Sequence, residues 1–136
     1  MAYTRLRFSL CSKNGFPSFD NVTDILKISP TSTRKKLEFP KISIEMNLAT
    51  DIWTFIIENS NAKTVECELN KLEAIFADKK NEILQICECF DATVSVQMYV
   101  EEENDSDIGL WLTNENIDFL SSIHANYGLT ICINGT

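Results

Sequence analysis

A side-chain nucleophile needs a base beside it, and this chain contains one histidine, His124. It follows Ile123 in what reads as the last turn of a helix, where the helix dipole favours a charged imidazole. A helix cap or a packed surface residue accounts for His124 better than catalysis does. Cys87 and Cys89 flank Glu88, which is not the Cys-x-x-Cys spacing of redox and zinc sites. The run Glu101-Glu102-Glu103-Asn104-Asp105-Ser106-Asp107 is rich in oxygen ligands. It lacks the glycine and the closing glutamate of an EF-hand, so it reads as a solvated hairpin loop. Arg34-Lys35-Lys36 has the charge for an anion site but reads first as a solvated turn. The four glycines are scattered, and none forms a phosphate-cradling loop. The expectation is no catalytic residue, no metal and no cofactor.

The elements that would position these groups fit one domain over residues 1–136, with 44% hydrophobic residues to build a core. The net charge is −8, from 20 acidic and 12 basic side chains. Such a field repels phosphate backbones, which argues against nucleic acid, and it favours a basic protein partner. The five cysteines are odd in number and lack a framework spacing. They read as small buried hydrophobes in a reducing compartment. Arg5 and Arg7 interrupt any apolar leader, and no apolar run approaches the roughly 20 residues of a membrane span. The expected location is cytoplasmic, with no membrane partner.

The longest signal is an amphipathic helical stretch from Val65 to Phe90. Its apolar residues are Val65, Leu69, Leu72, Phe76, Ile83, Ile86 and Phe90. Lys79 stands where the next apolar residue is due, so a break is expected there. Tyr3 to Ser12 alternates as a half-buried strand, Leu6, Phe8 and Leu10 on one side and Arg5, Arg7 and Ser9 on the other. Ser18 caps a short helix that Pro30 ends, and Thr31 to Lys36 is a loop. Ile42, Ile44, Met46 and Leu48 alternate as a second strand, and Ile52 to Glu58 forms a third. Asn59-Ser60-Asn61 turns the chain into the long helix. After that helix, Val94, Val96, Met98 and Val100 alternate with Thr93, Ser95, Gln97 and Tyr99. Leu110-Trp111-Leu112 is a short strand. Thr113 caps a helix with Ile117, Leu120 and Ile123 inward, Tyr127-Gly128 closes it, and Leu129, Ile131 and Ile133 form the last strand. The order β-α-β-β-α-β-β-α-β predicts an α+β, ferredoxin-like split-βαβ arrangement. Its antiparallel-rich sheet would carry helices mainly on one face.

Several of these segments together resemble a known family. They are Ile28-Ser29-Pro30-Thr31, the tryptophan strand Asp51-Ile52-Trp53-Thr54-Phe55, the long leucine-spaced helix, and Leu110-Trp111-Leu112-Thr113-Asn114-Glu115-Asn116-Ile117-Asp118-Phe119-Leu120. The chain resembles, over nearly its whole length, the bacterial domains numbered 4279 among domains of unknown function. The resemblance implies no catalytic residue. In size and charge the chain is also similar to immunity proteins of bacterial toxin systems.

Three functions compete. The leading one is a non-catalytic immunity protein that occludes the basic surface of a cognate toxin domain. Its partner-binding residues would be Glu101, Glu102, Glu103, Asp105 and Asp107. The alternative is a regulatory module binding a small molecule or peptide on the polar strand face of Thr93, Ser95, Gln97 and Tyr99. An enzyme ranks last, because with one histidine it would need a carboxylate-only or backbone-assisted mechanism. Trp53 and Trp111 read as core residues, or as interface anchors if exposed. A free edge at the first or last strand would allow two copies to pair as a homodimer.

Overall fold

The alternating N-terminal segment forms the central strand of a five-stranded sheet. In this computed structural model the described residues are 2–103 and 108–134. The strands are β1 (Ala2–Ser12), β2 (Ser32–Arg34), β3 (Asp51–Ala62), β4 (Ala92–Glu103) and β5 (Asn126–Asn134), in spatial order β2-β3-β1-β4-β5. β1 is antiparallel to both β3 and β4, β2 is antiparallel to β3, and β4 and β5 are parallel. The fold is thus mixed α+β with a mixed, mainly antiparallel sheet.

Register converts alternation into a face. Leu6 lies opposite Ile57 and Met98, Phe8 opposite Phe55 and Val96, and Leu10 opposite Trp53 and Val94. Side chains directly opposite one another point to the same side, so three strands present one continuous apolar surface. The helices are α1 (Phe19–Leu26), α2 (Lys41–Glu45), α3 (Val65–Phe76), α4 (Lys80–Phe90) and α5 (Asn114–Ser122). All but α2 bury apolar residues in the core above this surface, whereas α2 buries none. Phe76 of α3 stacks on Phe8 with ring centroids 4.2 Å apart and meets Phe55 edge-on at 5.6 Å. Trp53 is fully buried, and its indole N–H donates to Thr23 Oγ1 of α1 at 3.1 Å.

The long amphipathic stretch breaks where Lys79 interrupts its apolar stripe. A 3₁₀ turn over Ala77–Lys79 separates α3 from α4. Thr64 caps α3, its hydroxyl accepting from the Cys67 amide at 3.0 Å, and Asp91 ends α4 in the left-handed region. Ser18 caps α1 as the sequence suggests, accepting from the Asp20 amide. That helix stops before Pro30, at Lys27, which is left-handed with φ 58°.

Several expectations need correction. Residues 42–48 are not a strand. Pro40 opens a helical turn by accepting from the Ser43 and Ile44 amides, which gives α2, and Ile42, Met46 and Leu48 stay exposed. Conversely, Thr31 to Lys36 is not only loop. Thr31 N donates to Thr54 O, and Thr31 Oγ1 accepts from the Ile56 amide, which seats β2 on the edge of β3. Leu110 to Leu112 makes no strand. Only Gly109 bridges, to Thr64. Asn59 to Asn61 remains within β3. β1 lies between β3 and β4 and is antiparallel to both, but the strand count is changed and β4 and β5 are adjacent and parallel, so the sheet is mixed and does not take the full ferredoxin-like order. The first strand is central, so only the last of the two strands considered as free edges is one.

α5 turns Leu120 and Ile123 inward as expected, but not Ile117. Thr113 and Asn116 form a reciprocal cap, with bonds of 3.1 and 3.0 Å. Asn116 is buried and donates to Asn70 Oδ1 and to Glu73 Oε1 of α3. That turns Phe119, Leu120 and Ile123 inward and leaves Ile117 50% exposed. The stop is His124, not Gly128. His124 has φ 53°, its amide donates to Ser121 O, and the Ala125 amide donates to Leu120 O, the paired bonds of a Schellman motif. Gly128 belongs to β5.

Candidate functional site on the open face of the sheet

The face of the sheet away from the helices is polar. Register places Arg5 opposite Glu58 and Tyr99, Arg7 opposite Ile56 and Gln97, and Ser9 opposite Thr54 and Ser95. Arg34 of β2 lies opposite Ile52 on the same side, because Ile52 pairs with Cys11. The chain has three arginines, Arg5, Arg7 and Arg34, and all three stand on this face. The strand face of Thr93, Ser95, Gln97 and Tyr99 is here too, completed by side chains from β1, β2 and β3.

Two hollows indent the surface and share Arg7 and Gln97. One, of about 320 Å³, is lined by Arg5, Arg7, Gln97, Tyr99 and Thr130 among others. The other, of about 360 Å³, includes Arg7, Ser9, Arg34, Thr54, Ser95 and Gln97. Between them the floor is held by hydroxyls and amides: Ser9 Oγ and Thr54 Oγ1 are 3.1 Å apart, and Gln97 Nε2 donates to Ser95 Oγ at 3.1 Å.

The arginines differ in their partners. Arg5 lies 3.5 Å from Glu58 and is held more firmly protonated, first by its hydrogen bond to Tyr3 and then by the Glu58 charge. Arg34 stacks 3.8 Å above the Phe39 ring, which uses the face of the guanidinium and leaves its N–H edge for an acceptor. Arg7 is exposed and has no carboxylate or hydrogen-bond partner among the described residues. At the far end, loss of surrounding water, the hydrogen bond to Cys132 and the Glu101 charge raise the Tyr99 phenol above its ordinary range. Acidic groups are concentrated on the other side of the molecule. Asp20 and Asp24 lie on α1, Glu66 and Glu73 on α3, Glu82 and Glu88 on α4, and Glu115 and Asp118 on α5.

The predicted acidic loop divides. Glu101 lies on the open face beside Tyr3, whereas Glu102 turns the other way and its Oε1 accepts from the Ile108 amide at 2.9 Å. Period-two alternation separates neighbours along a strand, so β4 cannot present both on one patch. The Glu103 backbone pairs with Asn134, and Asp105 and Asp107 lie outside the described residues. The basic cluster divides as well. Arg34 faces the sheet hollow, while Lys36 Nζ donates to Lys13 O. Lys35 and Lys36 line a larger hollow, about 800 Å³, between the start of α1 and the edge of β3. There Asp51 already accepts from the Phe16 and Lys36 amides, which makes that hollow a stapled loop junction.

Trp111 is the second exposed feature. It is 56% exposed, its ring lies over Gly109, and its indole N–H donates to Glu66 Oε2 at 2.7 Å. The cysteine expectation is corrected in part. Cys67, Cys89 and Cys132 are exposed, and only Cys11 and Cys87 are partly buried. Among the described residues no three His, Cys, Asp or Glu side chains converge as metal ligands, and no helix is long and apolar enough to cross a membrane.

From the sequence alone Arg5 and Arg7 are only the polar side of a strand. Their i, i+2 spacing put them on one face, but the register that adds Gln97 and Arg34 depends on strand pairing. No curated protein and no solved structure matches the chain. The family model described as Domain of unknown function (DUF4279) matches residues 2–134, and the chain belongs to that family.

Proposed function

We propose that this protein is a non-catalytic binding module that holds an anionic ligand on the open face of its sheet. One observation carries the reading: in a chain of net charge −8, all three arginines stand on one sheet face, and Arg7 lies between two hollows with no anionic partner among the described residues. Guanidinium groups match carboxylate and phosphate oxygens through paired N–H donors. Ser95, Gln97 and Thr130 surround Arg7 with neutral donors and acceptors that would orient such a group. The experiment is calorimetric titration with citrate, inorganic phosphate and an oligoglutamate peptide, repeated on Arg7→Gln. Saturable binding that weakens at least tenfold in the variant supports the reading, and the three titrants separate carboxylate from phosphate and small molecule from peptide. No heat with any titrant at millimolar concentration would overturn it.

The toxin-neutralising reading keeps one specific support. Trp111 is an exposed aromatic fixed by Glu66, on the side of the molecule that carries the acidic helices. Tryptophan is enriched among residues that dominate interfaces. A basic toxin domain would meet Trp111 and the acids of α3 and α5, with charge steering its approach. A pull-down with the product of a neighbouring toxin gene tests it, with a 1:1 complex lost in Trp111→Ala as the expected result. Absence of a complex would leave the reading without support.

A further inference from the structure

The two edges of the sheet are built differently. β2 is three residues long, carries Arg34, is followed by Lys35 and Lys36, and lies between Pro30 and Pro40. Shortness, charge and proline are how proteins keep an edge from pairing with another chain. β5 is nine residues long, Asn-Tyr-Gly-Leu-Thr-Ile-Cys-Ile-Asn, with no charged residue and no proline in a chain that is 24% charged. Its inner edge pairs with β4, and among the described residues nothing pairs with its outer edge. Leu129, Ile131 and Ile133 are 38%, 40% and 64% exposed.

We infer that β5 pairs antiparallel with β5 of a second copy of this chain, about a two-fold axis at Thr130, to make a continuous ten-stranded sheet. The sequence is self-complementary about that point. With the axis at residue 130, all nine residues overlap. Leu129 falls opposite Ile131 of the second copy, and Tyr127 opposite Ile133 of the second copy, each twice by symmetry. These apolar residues share the helix-covered side, because Tyr127, Leu129 and Ile131 lie beside Val96, Met98 and Val100. Pairing would cover them with one another. On the open side Thr130 meets Thr130 of the second copy, and Gly128 meets Cys132 of the second copy. No charge opposes a charge anywhere along the line. Two molecules of net charge −8 therefore meet along an uncharged strip, which a charged or proline-bearing edge would forbid. Thr130 also lines the hollow that holds Arg5 and Arg7, so the second copy would wall that hollow on its outer side. Both open faces would lie on the same side of the joined sheet.

Sedimentation equilibrium over micromolar to millimolar concentrations tests the pairing. The expected species is twice the 15.5 kDa chain. Ile131→Lys and Ile133→Lys place like charges in the strip and are expected to weaken dimerisation at least tenfold, with unchanged circular dichroism. A symmetric antiparallel pair holds its axial Cα atoms about 4.5–5.5 Å apart, within disulfide range. Thr130→Cys should therefore give an oxidised dimer that the natural chain does not give under the same oxidant. A monomer at every concentration overturns the proposal. So does a dimer that survives both lysines and is not trapped through position 130, which would place the contact elsewhere. The result is independent of the anion reading, which calorimetry on the monomeric lysine variants tests separately.

Discussion

Gln97 lies across Gly128, occupying the space that any side chain at position 128 would need. The two residues are direct neighbours on β4 and β5, and the missing side chain lets the Gln97 amide turn down onto Ser95 Oγ. Gly128→Ala would push against the far end of a flexible side chain, so the fold should tolerate it. Loss of a strand glycine also lowers unfolded-state entropy, so the stability change should stay within about 0.5 kcal/mol. Gln97 would swing away, and binding of the anionic titrant should weaken several-fold. Urea melts and calorimetry on the same preparation separate the two effects. Equal affinity in Gly128→Ala would remove Gln97 from the site.

The core has a similarly specific weak point at Phe76. Its ring stacks on Phe8 and meets Phe55, at the junction where α3 gives way to the 3₁₀ turn. Phe76 is fully buried, so Phe76→Ala removes both contacts and opens a cavity. Such truncations cost about 3–5 kcal/mol. The expected outcome in urea is a large drop in midpoint with little change in slope. A loss below about 1 kcal/mol would mean that the helix pair repacks and that the aromatic cluster is not the organising contact.

Much of this arrangement is readable from period alone. Leu6, Phe8 and Leu10 against Arg5, Arg7 and Ser9 already announce a two-sided strand, and the stripe from Val65 to Phe90 announces its cover. The misreadings have local physical causes. Ile42, Ile44, Met46 and Leu48 alternate, but Pro40 begins a turn whose amides donate to its own carbonyls, without a sheet neighbour. Gly128 resembles a helix stop, yet His124 takes the left-handed position four residues earlier. The arginine face is half legible in the sequence. Spacing aligns Arg5 with Arg7, but Arg34 joins them only because Thr31 anchors β2 to β3 across a gap of some twenty residues. A single strand's pattern carries no information about which neighbour it will take.

The two tryptophans should report separately. Trp53 is 0% exposed and bonded to Thr23, whereas Trp111 stands in water over Gly109. Acrylamide should quench one component of the fluorescence strongly and leave the other nearly untouched. Trp111→Phe should abolish the quenched component with little loss of stability. Trp53→Phe should remove the protected one and lower the melting temperature. Uniform quenching in the natural chain would contradict the burial of Trp53.

Alkaline pH should weaken the fold through groups that burial keeps protonated. Burial pushes the Cys87 thiol and the Tyr127 phenol above their ordinary values, and it does the same to Cys11 against an opposing hydrogen bond to Thr50. In the unfolded chain these thiols ionise near their ordinary value of 9.0. The native state therefore binds more protons than the unfolded state once the pH exceeds that value. By linkage, stability falls as pH rises. The contribution is fully present below about pH 8, where both states are protonated, and is lost as the pH climbs through the raised native values. The melting temperature should be flat in this respect between pH 6 and 8 and should decline above 9. Cys87→Ala should reduce the slope of that decline. The same burial predicts two classes of thiol: Cys67 and Cys89 are exposed and should react quickly with a disulfide reagent at pH 8, and Cys11 and Cys87 slowly. Fast modification of Cys87 in the folded protein would contradict its shielding and, with it, its share of the alkaline decline.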